Sequence, residues 1–331
     1  MKYLVNVIFV RNTVAELLPF FRSLLEHTDC SYRLVANGCT AAEQATLIAE
    51  AGSASARVEY YEASSDEVLL HGVVLEQLLE LESGDYFVFV DSDVLAIGPA
   101  SFDGLLPDET EGARCSALPL WHRPSERVAP HGFRMLGGRF VEVEGSDVVT
   151  GCSYAAAYRT ERLRAIVAEH EITLAHTRAA QLPSGVRDEL TRRKFEFDFY
   201  DTLKVANILL HEAGWPVAMV ELENIIHVGA LSVPHHEPDG GRSLRRAVKA
   251  LLGNVGPRLR VVQWRAQGLD WKESWSMADL AVRRKSARDF VGRLASGEAT
   301  IDAAPEWCRD PNTFAALAAL YRSDAAEQRR P

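Results

Sequence analysis

A short apolar run followed at once by two carboxylates constrains what this chain can fold into. Residues 86–90 read Tyr-Phe-Val-Phe-Val, and Asp91-Ser92-Asp93 follow directly. Consecutive aromatic and β-branched residues without a charge predict a fully buried strand, as in a parallel sheet. Because burying an unpaired carboxylate is costly, we expect the Asp pair at the exposed carboxyl end of that strand, where α/β sheets open a ligand crevice.

Two carboxylates separated by one residue offer hard oxygen ligands. Mg²⁺ and Mn²⁺ are commonly held by a few protein carboxylates together with substrate phosphates. On residue type alone, the pair Asp91 and Asp93 is more often a turn or a helix cap. The metal interpretation therefore depends on the strand before the pair and on the segments around it.

Strands and helices alternate along most of the chain. Strands are expected at residues 3–10, 32–36, 58–61, 115–120 and 217–220. Helices are expected after Thr13, where Glu16 would complete a capping box, from residue 41, from His71, and from residue 203 to Gly214. Alternation with short connections predicts an α/β fold with right-handed crossovers.

Composition limits the class of protein. The chain has 331 residues, 47% hydrophobic and 25% charged, which is typical of a globular protein. No apolar run approaches the roughly 20 residues that span a bilayer, and the first residues read as a strand rather than a secretion signal. The five cysteines are scattered without a CxxC pair, as expected for reduced thiols in a cytoplasmic protein.

Charge is unevenly distributed. The net charge of −10 argues against general nucleic-acid binding, yet residues 241–294 carry 13 Lys/Arg against 4 Asp/Glu. This basic segment is interpreted first as a solvated helical face. The alternative is a surface for an acidic acceptor, a phosphate or peripheral contact with an anionic membrane.

The Asp-x-Asp after a buried strand resembles the metal motif of GT-A-fold glycosyltransferases. Three further motifs between residues 3 and 235 resemble the family 2 type of that fold. The first strand ends in Arg11-Asn12, residues 35–40 (Val-Ala-Asn-Gly-Cys-Thr) look like a second-strand motif that usually reads Val-Asp-Asn-Gly-Ser-Thr, and His71-Gly72 opens the helix before the metal strand. Ala36 replaces the usual Asp of the second-strand motif.

The resemblance implies a GT-A (Rossmann-like) fold with a mixed, mostly parallel sheet flanked by helices and a C-terminal helical extension. Residues 1–100 would form the nucleotide-sugar-binding half, 101–235 the acceptor-binding half and 236–331 the extension. It implies donor contacts from one set of residues: Val10, Arg11, Asn12, Asn37, His71, Asp91 and Ser92. Without the resemblance, residues 37–38 read as a plain turn and His71 as an ordinary residue at a helix start.

The resemblance also implies a cofactor, Mn²⁺ or Mg²⁺, held by Asp91, Asp93 and a late histidine. His227 is the expected ligand, with His235 and His236 as neighbouring candidates. A lone histidine between Ile226 and Val228 would otherwise be a packed residue, although imidazole does suit Mn²⁺.

A second acidic stretch precedes the late strand. Residues 195–202 read Phe-Glu-Phe-Asp-Phe-Tyr-Asp-Thr and begin a helix. They resemble the acidic helix start of the family, in which Asp201 matches the catalytic base of inverting members. Asp198 is the alternative base, Tyr200 replaces the usual Glu, and Asp201 could instead be only a helix cap.

The expected function is metal-dependent transfer of a sugar from a UDP-, dTDP- or GDP-sugar to a hydroxyl of a small-molecule, peptide or saccharide acceptor. A long excursion or hairpin at residues 121–147 would lie beside the acceptor. The first alternative is a nucleotidyltransferase, disfavoured because the loop after the first strand, residues 10–14, has no glycine. The second is a non-catalytic nucleotide-sugar-binding protein.

Overall fold

The computed structural model describes residues 3–53, 57–116, 133–136, 139–142, 148–151, 154–197, 199–229, 231, 285–305, 308–309 and 311–327. The described strands are β1 (Leu4–Val10), β2 (Ser31–Asn37), β3 (Val58–Ser64), β4 (Tyr86–Asp91), β5 (Val94–Ala96), β6 (Ala113–Ser116), β7 (Phe133–Leu136), β8 (Arg139–Glu142), β9 (Ala155–Arg159), β10 (Thr177–Arg178), β11 (Phe199–Tyr200), β12 (Val217–Met219) and β13 (Ile225–His227).

The described α-helices are α1 (Val14–His27), α2 (Ala41–Ser53), α3 (His71–Leu81), α4 (Thr160–His170), α5 (Ser184–Arg192), α6 (Lys204–Glu212), α7 (residues 285–295) and α8 (Pro311–Glu327). Short 3₁₀ turns cover Asp103–Leu105, Ala179–Gln181 and Ile301–Ala303.

The central sheet has seven strands in the order β12-β6-β9-β4-β1-β2-β3. Neighbours pair in parallel except around β9, which is antiparallel to both β4 and β6. The predicted strand ending in Asp91 is β4, and its residues 87–90 have no solvent exposure. The mixed, mostly parallel α/β fold expected from the sequence is therefore confirmed.

Helices cover both faces of the sheet. Helices α1, α2 and α8 contribute to one hydrophobic core, together with Val5, Val7 and Phe9 of β1. Helices α3, α4 and α6 contribute to the other core, which includes Phe87 and Phe89 of β4. Side chains of the central strands β1 and β4 alternate between the two cores, which is why neither strand has an exposed polar face.

The described part of the C-terminal extension is mostly helical and packs on α1. The ring of Tyr321 on α8 lies 6.2 Å from that of Phe20, and its hydroxyl donates to the Glu16 carbonyl at 3.2 Å. Phe290 of α7 is buried in the same core. Residues 241–284, with most of the predicted basic segment, lie outside the described residues.

The predicted capping box at the start of α1 is wrong. Thr13 precedes the helix but makes no side-chain cap, because its hydroxyl donates back to the Val10 carbonyl at 2.7 Å. Such a box forms instead at α2, where the Glu43 carboxylate accepts the Thr40 N–H at 2.9 Å and the Thr40 hydroxyl accepts the Glu43 N–H at 3.3 Å. The same Glu43 carboxylate accepts the Val14 N–H at 3.4 Å, joining the starts of two helices.

A hairpin lies in the predicted excursion at residues 121–147. Strands β7 and β8 pair antiparallel, with Phe133 opposite Glu142, and β7 lies beside β11. The other residues of the excursion lie outside the described chain. Within the described residues, no helix combines the length and apolar character needed to cross a membrane.

Candidate metal and donor site

The two sequence-predicted carboxylates lie at the carboxyl edge of the sheet. Asp91 ends β4, opposite Ile8 of β1, and its N–H donates to the Tyr154 carbonyl at 2.6 Å. Ser92 and Asp93 then lead into β5, which leaves the main sheet. Because β4 is central and buried up to Val90, the carboxylates are held on rigid backbone at the position where an α/β sheet binds ligands.

A two-stranded ribbon brings His227 to the carboxylates. Strand β13 pairs antiparallel with β5, which sets His227 opposite Val94, and the Val228 N–H donates to the Asp93 carbonyl at 3.1 Å. His227 Nε2 lies 3.2 Å from Asp93 Oδ1. Asp91, Asp93 and His227 each offer a ligand atom, and these atoms lie within 4.8 Å of one another.

The donor set fits a divalent cation. Asp93 is 0% and His227 2% exposed, while the Asp91 side chain keeps 13% exposure. Two carboxylates held this close in a region of low water content repel each other, so a cation between them offsets a large cost. Two carboxylate oxygens and one imidazole nitrogen are ligands that Mn²⁺ and, through its oxygens, Mg²⁺ accept. His235 and His236 lie outside the described residues.

Groups around the cluster hold its ligands in place. The Leu231 N–H donates to Asp93 Oδ2 at 2.8 Å, and the Tyr154 ring lies 4.7 Å from the His227 ring. Tyr154 and Leu231 are not among the site residues predicted from the sequence. Tyr154 could have been found from its position directly before β9, the strand that pairs with β4. Leu231 contacts Asp93 through its backbone N–H, which every residue except proline has, so the sequence carries no signal for it.

His71 lies close to Asp91. It begins α3, its ring contacts the edge of Phe89 at 6.0 Å between centroids, and its Nε2 lies 3.9 Å from Asp91 Oδ1. The side chain is 27% exposed, yet Nε2 itself is buried and has no hydrogen-bond partner in the described part of the chain. Burial lowers the pKa of His71 to about 4, against the opposing effect of the Asp201 charge, so the imidazole is neutral at pH 7.

Asp201 lies close enough to His71 for its charge to oppose the lowering of the His71 pKa. It follows β11 and precedes α6, and its Oδ1 accepts the Thr202 N–H at 2.8 Å. Helix α6 is preceded by Leu203 and has no side-chain cap, so the alternative interpretation of Asp201 as a side-chain helix cap is wrong. Asp198, the alternative base, lies outside the described residues.

The predicted donor residues of β1 and β2 hold the loops around the site. Arg11 donates from Nε to the Gly38 carbonyl at 2.5 Å and from Nη2 to the Asp66 carbonyl at 2.8 Å. Asn37 donates to the Leu69 carbonyl at 3.0 Å and accepts the Leu69 N–H at 2.8 Å. These bonds join the loops that follow β1, β2 and β3, so Arg11 and Asn37 are structural supports of those loops.

Backbone conformation explains two residues of these loops. Gly38 has φ +64°, and a Cβ there would lie 2.6 Å from the Glu67 backbone, so the position needs glycine. Asn12 also has a positive φ, 64°, which asparagine tolerates better than most residues. Val10 is buried at the end of β1, and Ser92 is buried between the two carboxylates. Direct donor contacts from all these residues remain predictions.

Comparisons with known proteins place the chain near glycosyltransferases of known structure. No protein-family model and no curated protein matches it. Its structure is similar to galactosyltransferase LgtC in complex with donor and acceptor sugar analogs (12% identity, 66% of this chain and 73% of that chain, TM-score 0.39). It is also similar to S. aureus TarS 1–349 (12%, 100% and 92%, 0.40) and to the glycosyltransferase GlyE of Streptococcus pneumoniae TIGR4 (10%, 84% and 63%, 0.37). At these identities and TM-scores the likeness assigns no activity to this chain.

Proposed function

We propose that this chain is a metal-dependent glycosyltransferase that moves a sugar from a nucleoside-diphosphate sugar to an acceptor hydroxyl with inversion. The observation that carries the proposal is the cluster of Asp91, Asp93 and His227 at the carboxyl edge of a mostly parallel sheet. His71 Nε2 lies 3.9 Å from Asp91 Oδ1, and the charge of Asp201 acts on His71, which supports Asp201 as the candidate base near this cluster.

The three ligands give the cluster its role in the proposal. Asp91, Asp93 and His227 would hold Mn²⁺ or Mg²⁺, which when bound supplies positive charge to the departing diphosphate. The protein itself contributes rigidity, since residues 87–90 of β4 are buried and the Leu231 N–H orients Asp93. Fixed ligands need little rearrangement when the negatively charged donor arrives.

Asp201 is the proposed general base. Its carboxylate would accept the proton of the acceptor hydroxyl as that oxygen bonds to the anomeric carbon and the bond to the diphosphate oxygen breaks. One displacement with one base inverts the anomeric configuration. The Thr202 N–H at Oδ1 orients the carboxylate, and the buried neutral imidazole of His71 adds no competing positive charge.

The first test is thermal stabilisation by UDP, dTDP and GDP, each with Mn²⁺ or with EDTA. A ligand that binds only the folded state at about 100 times its Kd adds ~2.7 kcal/mol to the free energy of unfolding. For a chain of this length that corresponds to a rise in Tm of about 4 °C. We expect it for one nucleotide, only with metal.

Matched variants test the metal cluster. Asp93→Asn keeps the shape of the side chain but removes its charge, and we expect it to lose the metal-dependent rise in Tm. Asp85→Asn is the control, because Asp85 is exposed and precedes the opposite end of the same strand. Equal stabilisation of both variants by nucleotide and Mn²⁺ would refute the metal site.

Products distinguish the proposal from its alternatives. Release of nucleoside diphosphate from a nucleotide-sugar, with the sugar on an acceptor, supports transfer. Release of pyrophosphate from a nucleoside triphosphate and a sugar phosphate would instead identify a nucleotidyltransferase. Metal-dependent nucleotide binding without turnover of any donor would identify a non-catalytic nucleotide-sugar-binding protein.

A further inference from the structure

We infer that Glu76 is a positioning residue that holds Asp201 in place for the proposed reaction. It would act through residues 173–178, the bridging segment, which connects helix α3 to the chain around Asp201. The inference rests on the proposed function and concerns a side chain outside both the metal cluster and the donor loops.

Glu76 fixes the start of the bridging segment to the middle of α3. Its Oε1 accepts the Leu174 N–H at 2.6 Å and the Thr173 hydroxyl at 2.5 Å. The Thr173 oxygen in turn accepts the Ala175 N–H at 3.1 Å. Hydrogen bonds to an ionised carboxylate are about twice as strong as neutral ones, so one side chain orders three consecutive residues of the segment.

A close backbone approach fixes the segment to the first turn of α3 as well. A Cβ on Gly72 would lie 2.2 Å from the Ala175 Cα and 2.4 Å from the Leu174 carbonyl carbon. The helix and the segment are therefore in direct backbone contact at Gly72. His71, which contacts Asp91, is the adjacent residue.

The bridging segment holds the chain on both sides of Asp201. The Leu174 carbonyl accepts the Leu203 N–H at 2.9 Å, two residues after Asp201. In the β10–β11 pair, Thr177 lies opposite Tyr200, the residue just before Asp201. A shift of the segment would therefore move the Asp201 carboxylate.

The backbone next to Asp201 depends on this support. Leu203 has φ +67°, a left-handed conformation that is strained for a residue other than glycine. Such a conformation persists only where its surroundings hold it, and here the bond from Leu203 to Leu174 contributes. Glu76 accepts the Leu174 N–H, and Leu203 donates to the Leu174 carbonyl. Glu76 therefore holds in place the residue to which Leu203 is bonded.

The experiment compares Glu76→Ala, Glu76→Gln and Glu80→Ala. Glutamine keeps an oxygen that can accept the Leu174 N–H, and Glu80 is an exposed residue one turn along the same helix. Activity is measured as nucleoside-diphosphate release from UDP-glucose, dTDP-glucose and GDP-mannose with Mn²⁺, using the donor that the wild type turns over. Water serves as the acceptor.

We expect Glu76→Ala to lower kcat by about 10- to 100-fold, the effect of misplacing a reacting group by about 1 Å. KM for the donor should change by less than about twofold, because the donor-binding residues are untouched. Glu76→Gln should recover most of the lost kcat, and Glu80→Ala should match the wild type. Loss of a residue that only stabilises the fold would not lower kcat of the folded enzyme while leaving KM nearly unchanged.

Hydrogen exchange gives a readout that needs no donor. In Glu76→Ala the Leu174 and Leu203 amides should exchange faster, with a smaller change in Glu76→Gln. If Glu76→Ala does not fold, Thr173→Val, which removes one hydrogen bond to the carboxylate, should show the same changes in smaller degree. Normal kcat, or unchanged exchange at Leu203, in a folded variant overturns the inference and leaves the proposed function intact.

A wild type that turns over none of the three donors counts against the proposed function and removes the catalytic role of Glu76 with it.

Discussion

Replacing Gly72 by alanine tests the close contact between α3 and the bridging segment. The added Cβ would lie 2.2 Å from the Ala175 Cα, whereas ordinary van der Waals contact begins near 3.4 Å. The two backbones would have to separate by about 1.2 Å, and overpacking of this kind costs ~1–3 kcal/mol. The neighbouring atoms belong to the main chain, so no side chain can rotate away to relieve the contact.

The helical position of Gly72 by itself favours alanine, so a loss of stability in Gly72→Ala would have to come from the contact with the bridging segment. Alanine is preferred to glycine within a helix by up to about 1 kcal/mol. Gly52 on α2 is the matched control, because a Cβ there has no neighbouring atom within 4 Å. We therefore expect Gly52→Ala to raise the free energy of unfolding slightly and Gly72→Ala to lower it by about 2 kcal/mol. In a chain of this length the second change corresponds to a fall in Tm of about 3 °C.

Urea denaturation and thermal scans measure the difference in the free energy of unfolding between the two variants. Nucleotide-sugar turnover measures the effect of each substitution on the proposed reaction. A loss of kcat larger in Gly72→Ala than in Gly52→Ala is expected, because only Gly72 contacts the bridging segment. If Gly72→Ala were as stable as Gly52→Ala, the close approach deduced at Ala175 would be wrong. The bridging segment would then be held to α3 by the hydrogen bonds of Glu76 and not by the contact at Gly72.

Three further predictions concern other parts of the site. Asp201→Asn should lower sugar transfer by about 10²- to 10⁴-fold, the usual contribution of a general base, while metal-dependent stabilisation by nucleotide persists; normal turnover would place the base elsewhere. Asn37→Ala should lower the free energy of unfolding by about 1–3 kcal/mol in urea, because it leaves the half-buried Leu69 N–H and carbonyl without their side-chain partner. Burial raises the pKa of the Cys39 thiol to about 12, so at pH 8 iodoacetamide should leave Cys39 unmodified in the native protein and modify it in guanidinium; rapid native labelling would contradict that burial.

The sequence predicted the parts of the site that lie on the buried strand and those carried by a family resemblance. Residues 86–90 lie in β4 because a run of apolar residues can pack against the cores on both faces of a central strand. The Asp pair then falls at the carboxyl edge by geometry alone. His227 was expected from the resemblance only. The pairing of β5 with β13 brings it to Asp93. The short stretches at residues 94–97 and 225–228 did not predict that pairing.

Other features could not be deduced from residue types. The same Ser/Thr-x-x-Glu spacing occurs at residues 13–16 and 40–43, but only the second pair forms a capping box, because the Thr13 hydroxyl turns to the Val10 carbonyl. The supporting role of Glu76 depends on residues almost a hundred positions away, and a surface glutamate on a helix carries no sequence signal for such a contact. The positive φ of Leu203 is likewise imposed by tertiary structure against the preference of the residue.

The late position of β9 in the chain sets an order in which this protein can assemble. Strands β1 to β4 are synthesised in succession and form one side of the central sheet, so a four-stranded parallel sheet can form before β9 pairs with β4. Its β4 edge stays open until β9, about 65 residues later, inserts between β4 and β6. That interval exposes an apolar edge strand ending in the Asp pair, the kind of surface through which unfinished chains associate. Truncation before residue 155 should therefore yield an aggregating fragment, because it leaves this edge of β4 without its partner strand.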